Sequence, residues 1–189
     1  MQTDELLNNL KFFGIKESLN YRLTEAIQSN VSHQDFLSFI LEDEFVYRRN
    51  KRSEMLRKRA KFKDRVCLED FNPSVKRGIN KSMIQQLQTL YFVNNNENLI
   101  FVGGTGAGKS YLAQAIGHTA CLAGIETFFI SANRLFKEFE AEEAAGNYLN
   151  YIKRLRKMKL LIIDDLGLRN YSHKEANTLY EILEDRYQK

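Results

Sequence analysis

Gly103, Gly108, Lys109 and Ser110 stand at the spacing G-x-x-x-x-G-K-[ST], inside the run Gly103, Gly104, Thr105, Gly106, Ala107, Gly108, Lys109, Ser110 and Tyr111. That spacing describes a phosphate-binding loop. Glycines let successive backbone N–H groups turn inward around a β-phosphate at the start of a helix. Lys109 then reaches the β- and γ-phosphates, and the Ser110 hydroxyl is a ligand for Mg²⁺. Further on, the apolar run Leu160-Leu161-Ile162-Ile163 ends in Asp164 and Asp165. Asp164 suits the outer side of the same metal ion, held largely through water, while Ser110 binds it directly. Asp165, one residue on, is placed to orient and deprotonate an attacking water, with the γ-phosphate as electrophile. Asp165 and Lys109 are therefore the catalytic candidates. An aspartate after a strand also serves as a helix N-cap, and that reading stands beside the catalytic one. Paired acids favour hydrolysis over transfer to a small molecule, which would call for an acceptor pocket and lid of which the chain gives no sign.

Such a site needs a strand in front of the loop and a helix behind it. Leu99-Ile100-Phe101-Val102 reads as the strand, and Lys109 to about Ala123 reads as the helix, closed by Gly124. Thr127–Ser131 and Leu160–Ile163 read as short buried strands. Ala132–Ala145, Tyr148–Met158 and about Ser172–Tyr187 read as helices. Strand and helix alternate at crossover length, which implies a parallel sheet wrapped by helices. Ahead of the loop, Lys81–Phe92 reads as an amphipathic helix and Asn94-Asn95-Asn96 as a turn. Pro73, the single proline, marks a boundary after Leu68-Glu69-Asp70-Phe71. Phe71 offers itself either to the adenine side of the site or to the core. Before the boundary the chain is helical, with apolar stripes at Leu6, Leu7 and Leu10, at Leu19, Leu23 and Ile27, and at Phe36, Leu37, Ile40 and Leu41. Ser32 suits the N-cap of the third helix. The division expected is a helical domain over 1–66 and a nucleotide-binding domain over 67–189.

The chain has 189 residues, 43% hydrophobic and 28% charged, the composition of a globular protein. No apolar run approaches the roughly 20 residues that span a bilayer, and the first residues lack the pattern of a signal peptide. A cytoplasmic protein without a membrane partner is the expectation. Cys67 and Cys121 stand apart, without metal-ligand spacing, and read as packing residues; His33, His118 and His173 are equally isolated. The net charge of +4 is concentrated. Arg48, Arg49, Lys51, Arg52, Arg57, Lys58, Arg59, Lys61, Lys63 and Arg65 lie in one segment against Glu54 and Asp64. That field can draw a polyanion, or the segment can be a solvated helix face or charged linker. Lys153, Arg154, Arg156, Lys157 and Lys159 form a second cluster with the same two readings.

These features together resemble the IstB family, ATPase helpers of insertion-sequence transposases related to DnaC-type helicase loaders within the AAA+ class. The resemblance rests on the loop, on Leu68-Glu69-Asp70-Phe71, on Leu112-Ala113-Gln114-Ala115-Ile116-Gly117-His118, and on Leu161-Ile162-Ile163-Asp164-Asp165-Leu166-Gly167. It implies an AAA+ P-loop α/β domain, a three-layer parallel sheet wrapped by helices, preceded by a small all-helical domain. It implies ATP and Mg²⁺ as cofactors, DNA bound without sequence specificity, a transposase partner, and homo-oligomers on DNA. It turns the first basic cluster toward DNA, through Arg48, Arg49, Lys51, Arg52, Arg57, Lys58, Arg59, Lys61 and Lys63. Two alternatives stand beside this: a replicative helicase loader, and a non-catalytic nucleotide-binding module. In AAA+ sheets a later strand lies between the strand of the loop and the strand of the paired acids, and no apolar strand follows Asp165 here. The resemblance therefore implies a truncated chain, prone to aggregation and weak in hydrolysis for want of a neighbour-reaching arginine.

Overall fold

The computed structural model describes residues 3–72 and 78–187; Pro73 lies outside them. Among the described residues the order is α1 (Thr3–Asn9), α2 (Phe13–Gln28), α3 (His33–Ala60), α4 (Lys81–Gln88), α5 (Tyr91–Asn94), α6 (Lys109–Leu122), β1 (Thr127–Ser131), α7 (Ala132–Ala144), α8 (Tyr148–Lys157), β2 (Leu160–Asp164) and α9 (His173–Tyr187). The chain forms two compact units whose boundary falls inside α3, between Met55 and Leu56. Residues 56–66 thus belong with the second unit.

In the first unit, Gly14 lets α2 and α3 approach so closely that a Cβ there would stand 2.8 Å from the Asp43 carbonyl oxygen. Glu44, 5% exposed, accepts from the N–H groups of Gly14 (2.7 Å) and Ile15 (3.1 Å) and from Arg48 Nε (2.6 Å). Burial pushes its carboxyl up, but Arg48 and the two N–H groups outweigh that and hold it below the usual range. Ser32 caps α3 as expected, accepting from Asp35 N at 3.1 Å. The apolar stripes are less covered than their periodicity implies. Leu7 is buried, while Leu6, Leu10, Leu23, Leu37, Leu41 and, at 82%, Ile27 are exposed. Periodicity marks a face without supplying what covers it.

In the second unit β1 and β2 pair in parallel, Thr127 opposite Leu160 through Ser131 opposite Asp164. Alternate side chains face opposite layers. Phe128, Ile130, Leu161 and Ile163 join α7, α8 and α9 in one core with Leu135, Phe136, Tyr151, Leu155 and Ile182. On the other face Ile162 reaches α6 at Gly117, where a Cβ would stand 2.9 Å from Ile162 Cδ1 and 2.6 Å from Phe62 Cε1. A second core surrounds α6: Leu112, Ala115, Ile116 and Ala120 pack with Leu68, Phe71, Ile84, Leu90 and Phe92. This sheet between helical layers is the expected α/β arrangement. Phe71, 5% exposed, is a core residue rather than an open adenine contact.

Three expectations are corrected. Leu99–Val102 belongs to no strand: no ladder partner lies beside it among the described residues, and Ile100 and Val102 are 84% and 91% exposed. The amphipathic pattern over Lys81–Phe92 does not make one helix, because Leu90 adopts φ 55° and the chain turns before α5. Cys121 is buried, but Cys67 is exposed and packs against nothing like a core.

Candidate functional site

Gly106 and Gly108 have φ of 77° and 88°, backbone angles closed to most side chains, and they deliver the loop into α6. Gly108 is the N-cap residue, and no side chain caps the first turn. The leading N–H groups of α6 are thus left to an anion, with the helix dipole behind them. Lys109 folds back over the loop, its Nζ donating to the carbonyls of Gly103 (2.9 Å) and Gly104 (2.8 Å). An ammonium has three donors, so Lys109 can exchange these for phosphate oxygens without moving its backbone.

The decisive contact spans the sheet. Ser110 Oγ donates to Asp164 Oδ1 at 2.8 Å, joining the first turn of α6 to the last residue of β2. A hydroxyl and a carboxylate in contact are hard oxygen donors of the kind that would hold a Mg²⁺ brought in with a nucleotide, which would supply charge neutralisation at the phosphates. No group of three or more His, Cys, Asp or Glu side chains suited to a metal occurs among the described residues. Asp165 follows in the left-handed region, φ 59°, with its side chain exposed. Such a conformation costs about 1–3 kcal/mol for a non-glycine residue. Tyr171 closes the loop behind Asp165 by donating to the Leu166 carbonyl.

Behind the site, α6 carries a polar stripe one residue per turn: Ser110, Gln114 and His118. Gln114, 3% exposed, accepts from the N–H groups of Lys63 (2.8 Å) and Asp64 (3.1 Å). His118 Nε2 lies 2.8 Å from the Asp64 carbonyl; a carbonyl can only accept, so Nε2 carries the proton. Its Nδ1 is buried with no partner among the described residues, and the Phe62 ring lies 4.2 Å away. Burial, and then the nearby charges of Arg57 and Arg65, outweigh the Asp64 bond and hold the imidazole below its usual pKa. Sequence reasoning missed this pair as holders of the basic segment. The legible signal was two polar residues four apart on an otherwise buried helix.

A family model described as IstB-like ATP binding protein matches residues 5–189. The chain belongs to the IstB-like ATP-binding family. Among the relatives of this IstB-like chain is an ATP-binding protein of insertion sequence IS1162 from Pseudomonas fluorescens, 30% identical over 181 residues, 95% of this chain and 78% of the relative. An insertion-sequence ATP-binding protein of Mycobacterium tuberculosis is 28% identical, covering 95% and 72%. The IS21 ATP-binding protein of Pseudomonas aeruginosa is 27% identical, covering 100% and 71%. Membership supports ATP as the nucleotide and an association with transposition. No helix of the described residues is long and apolar enough to cross a membrane. Of the basic residues, Arg48, Arg49, Lys51 and Arg52 lie on α3 in the first unit; Arg57, Lys58, Arg59, Lys61 and Lys63 lie in the second.

Proposed function

We propose that this IstB-like protein binds Mg-ATP at residues 103–111 and uses the bound state to assemble copies of itself on DNA and engage a transposase. The 2.8 Å bond between Ser110 and Asp164 carries the nucleotide half of this reading, because it brings together two residues distant in sequence that one metal ion needs. Bound Mg²⁺ would neutralise charge on the β- and γ-phosphates. Lys109 releases the Gly103 and Gly104 carbonyls to take phosphate oxygens, the first-turn N–H groups of α6 hold the β-phosphate, and Ser110 and Asp164 keep their mutual orientation. Asp165 accepts the proton of an attacking water. The basic residues from Arg48 to Lys63 contact DNA phosphates, a sequence-tolerant interaction.

The test is ATP binding by calorimetry with and without Mg²⁺, followed by a DNA gel shift with and without ATP. The expected result is Mg²⁺-dependent binding, lost in Asp164→Asn, and a slower-migrating DNA complex formed with ATP. Metal-independent binding unaffected by Asp164→Asn would overturn the site. Asp165→Asn separates enzyme from binding module: turnover falls and ATP affinity stays in the first, and nothing measurable changes in the second.

A further inference from the structure

We propose that the second unit carries its own contact surface for the duplex DNA backbone, built where Lys61 and Arg154 of α8 gather at Phe128 of β1, with Lys63 two residues on at Phe129, whose ring faces the other layer. The two basic clusters, far apart in sequence, come together there. Lys61 Nζ stands 5.2 Å from the centre of the Phe128 ring, and the Arg154 guanidinium carbon stands 5.9 Å from the same ring and 4.8 Å from that of Tyr151. Lys63 Nζ stands 5.8 Å from the next ring along the strand, Phe129. All three cationic residues are exposed, while Phe128, Phe129 and Tyr151 are buried and fixed in the core.

This arrangement presents charge at low entropic cost. The charged heads lie 4.8–5.9 Å from the centres of rings fixed in the core while the residues themselves stay exposed, so less rotamer freedom is left to lose on binding. Among the described residues Glu138 is the carboxylate engaged at this place, accepting from Tyr151 Oη (2.7 Å) and Arg134 Nε (3.0 Å) and lying 3.6 Å from Lys61 Nζ. One carboxylate among Lys61, Lys63, Arg134 and Arg154 leaves positive charge in excess, with exposed Asp64 following Lys63 as the nearest further acid in the chain. Lys58 and Arg59 continue the charge along the last turn of α3. Arg154 supplies a planar fork suited to phosphate, and the lysines supply point charges, the composition of a backbone contact without base readout. Among the described residues β1 pairs with β2 alone, and cations over an unpaired strand edge also discourage edge-to-edge pairing. That protective role would leave DNA affinity untouched.

The inference rests on the DNA-binding reading above, and its test separates the two. Anisotropy of a labelled mixed-sequence duplex is titrated with the full chain across a range of salt. The triple variant Lys61→Gln, Lys63→Gln, Arg154→Gln is compared with Arg48→Gln, Arg49→Gln. Loss of three phosphate contacts predicts affinity lowered by about tenfold or more at low salt, and a log-log salt slope shallower by roughly 2 to 3. Arg154→Gln alone, on an exposed helix face, predicts a slope shallower by about one, and Arg154→Lys restores it. Circular dichroism checks that each variant is folded. If wild type binds duplex and the Arg48 and Arg49 variant weakens it while neither Arg154→Gln nor the triple variant does, this surface is overturned and the DNA reading stands. If wild type binds no duplex at any salt, both fall. If polyglutamate affinity drops in the variants while duplex affinity holds, the surface takes an acidic protein segment and the DNA assignment is overturned.

Discussion

Behind Ser110 the chain runs into α6, where Leu112 and Ala115 have no exposed surface and Ile116 is 3% exposed, whereas ahead of Gly103 Ile100 is 84% and Val102 91% exposed. The same loop is thus anchored on one side and loose on the other. The anchored side carries the groups whose positions matter most: Lys109, Ser110 and, through its hydrogen bond, Asp164. The loose side contributes the carbonyls of Gly103 and Gly104 that hold Lys109. Phosphate-site geometry therefore depends on helix packing against β2 more than on the segment leading in, where Phe101 packs against the α6 core but Ile100 and Val102 form an open flank with no ladder partner among the described residues.

The contrast can be broken from the anchored side. Leu112→Ala removes a fully buried side chain from the α6 core and should cost about 2–5 kcal/mol, read by urea unfolding. Lys109→Ala leaves the packing alone and removes charge-assisted bonds to phosphate. ATP affinity should fall by about 100-fold in calorimetry with the melting temperature of the nucleotide-free protein unchanged. A smaller effect comes from pH. His118 is held below its ordinary pKa of 6.5, so the unfolded chain binds its proton first as pH falls. Its contribution is fully present above pH 6.5 and is lost progressively below it. The melting temperature should decline from pH 6.5 to 5, and Glu44 adds its own loss below about pH 4.5, its ordinary value. His118→Gln, which can still donate to Asp64, should flatten the upper part of that decline. The least effect on stability is expected on the loose side. Ile100→Thr with Val102→Thr should change unfolding free energy by about 0.5 kcal/mol or less, while reducing the chain's aggregation in light scattering. A large destabilisation there would show that the flank is covered in solution and would abolish the contrast.

Much of this was legible in sequence. Thr127–Ser131 is a strand over the expected residues, and α6 and α9 begin and end within a residue of expectation, because short buried strands and capped helices are specified locally. Ser110 and Asp164, singled out by residue type and spacing, are brought into contact by the fold. Leu99–Val102 was misread because apolar residues announce a strand, but a strand exists only through its neighbour. Leu90 was misread because hydrophobic periodicity continues through a residue whose backbone turns left. The bonds from Gln114 and His118 to Lys63 and Asp64, and the meeting of Lys61 with Arg154, are contacts between distant segments that no local pattern encodes.

Cys67 is exposed, and its carbonyl accepts the hydroxyl of Tyr111, the residue after Ser110, at 3.1 Å. Cys121 has no exposed surface and burial pushes its thiol up, away from the reactive thiolate. The natural sequence therefore offers a single addressable thiol beside the loop. A maleimide fluorophore would attach there without any engineered cysteine, and its emission would follow the arrival and departure of ATP in real time.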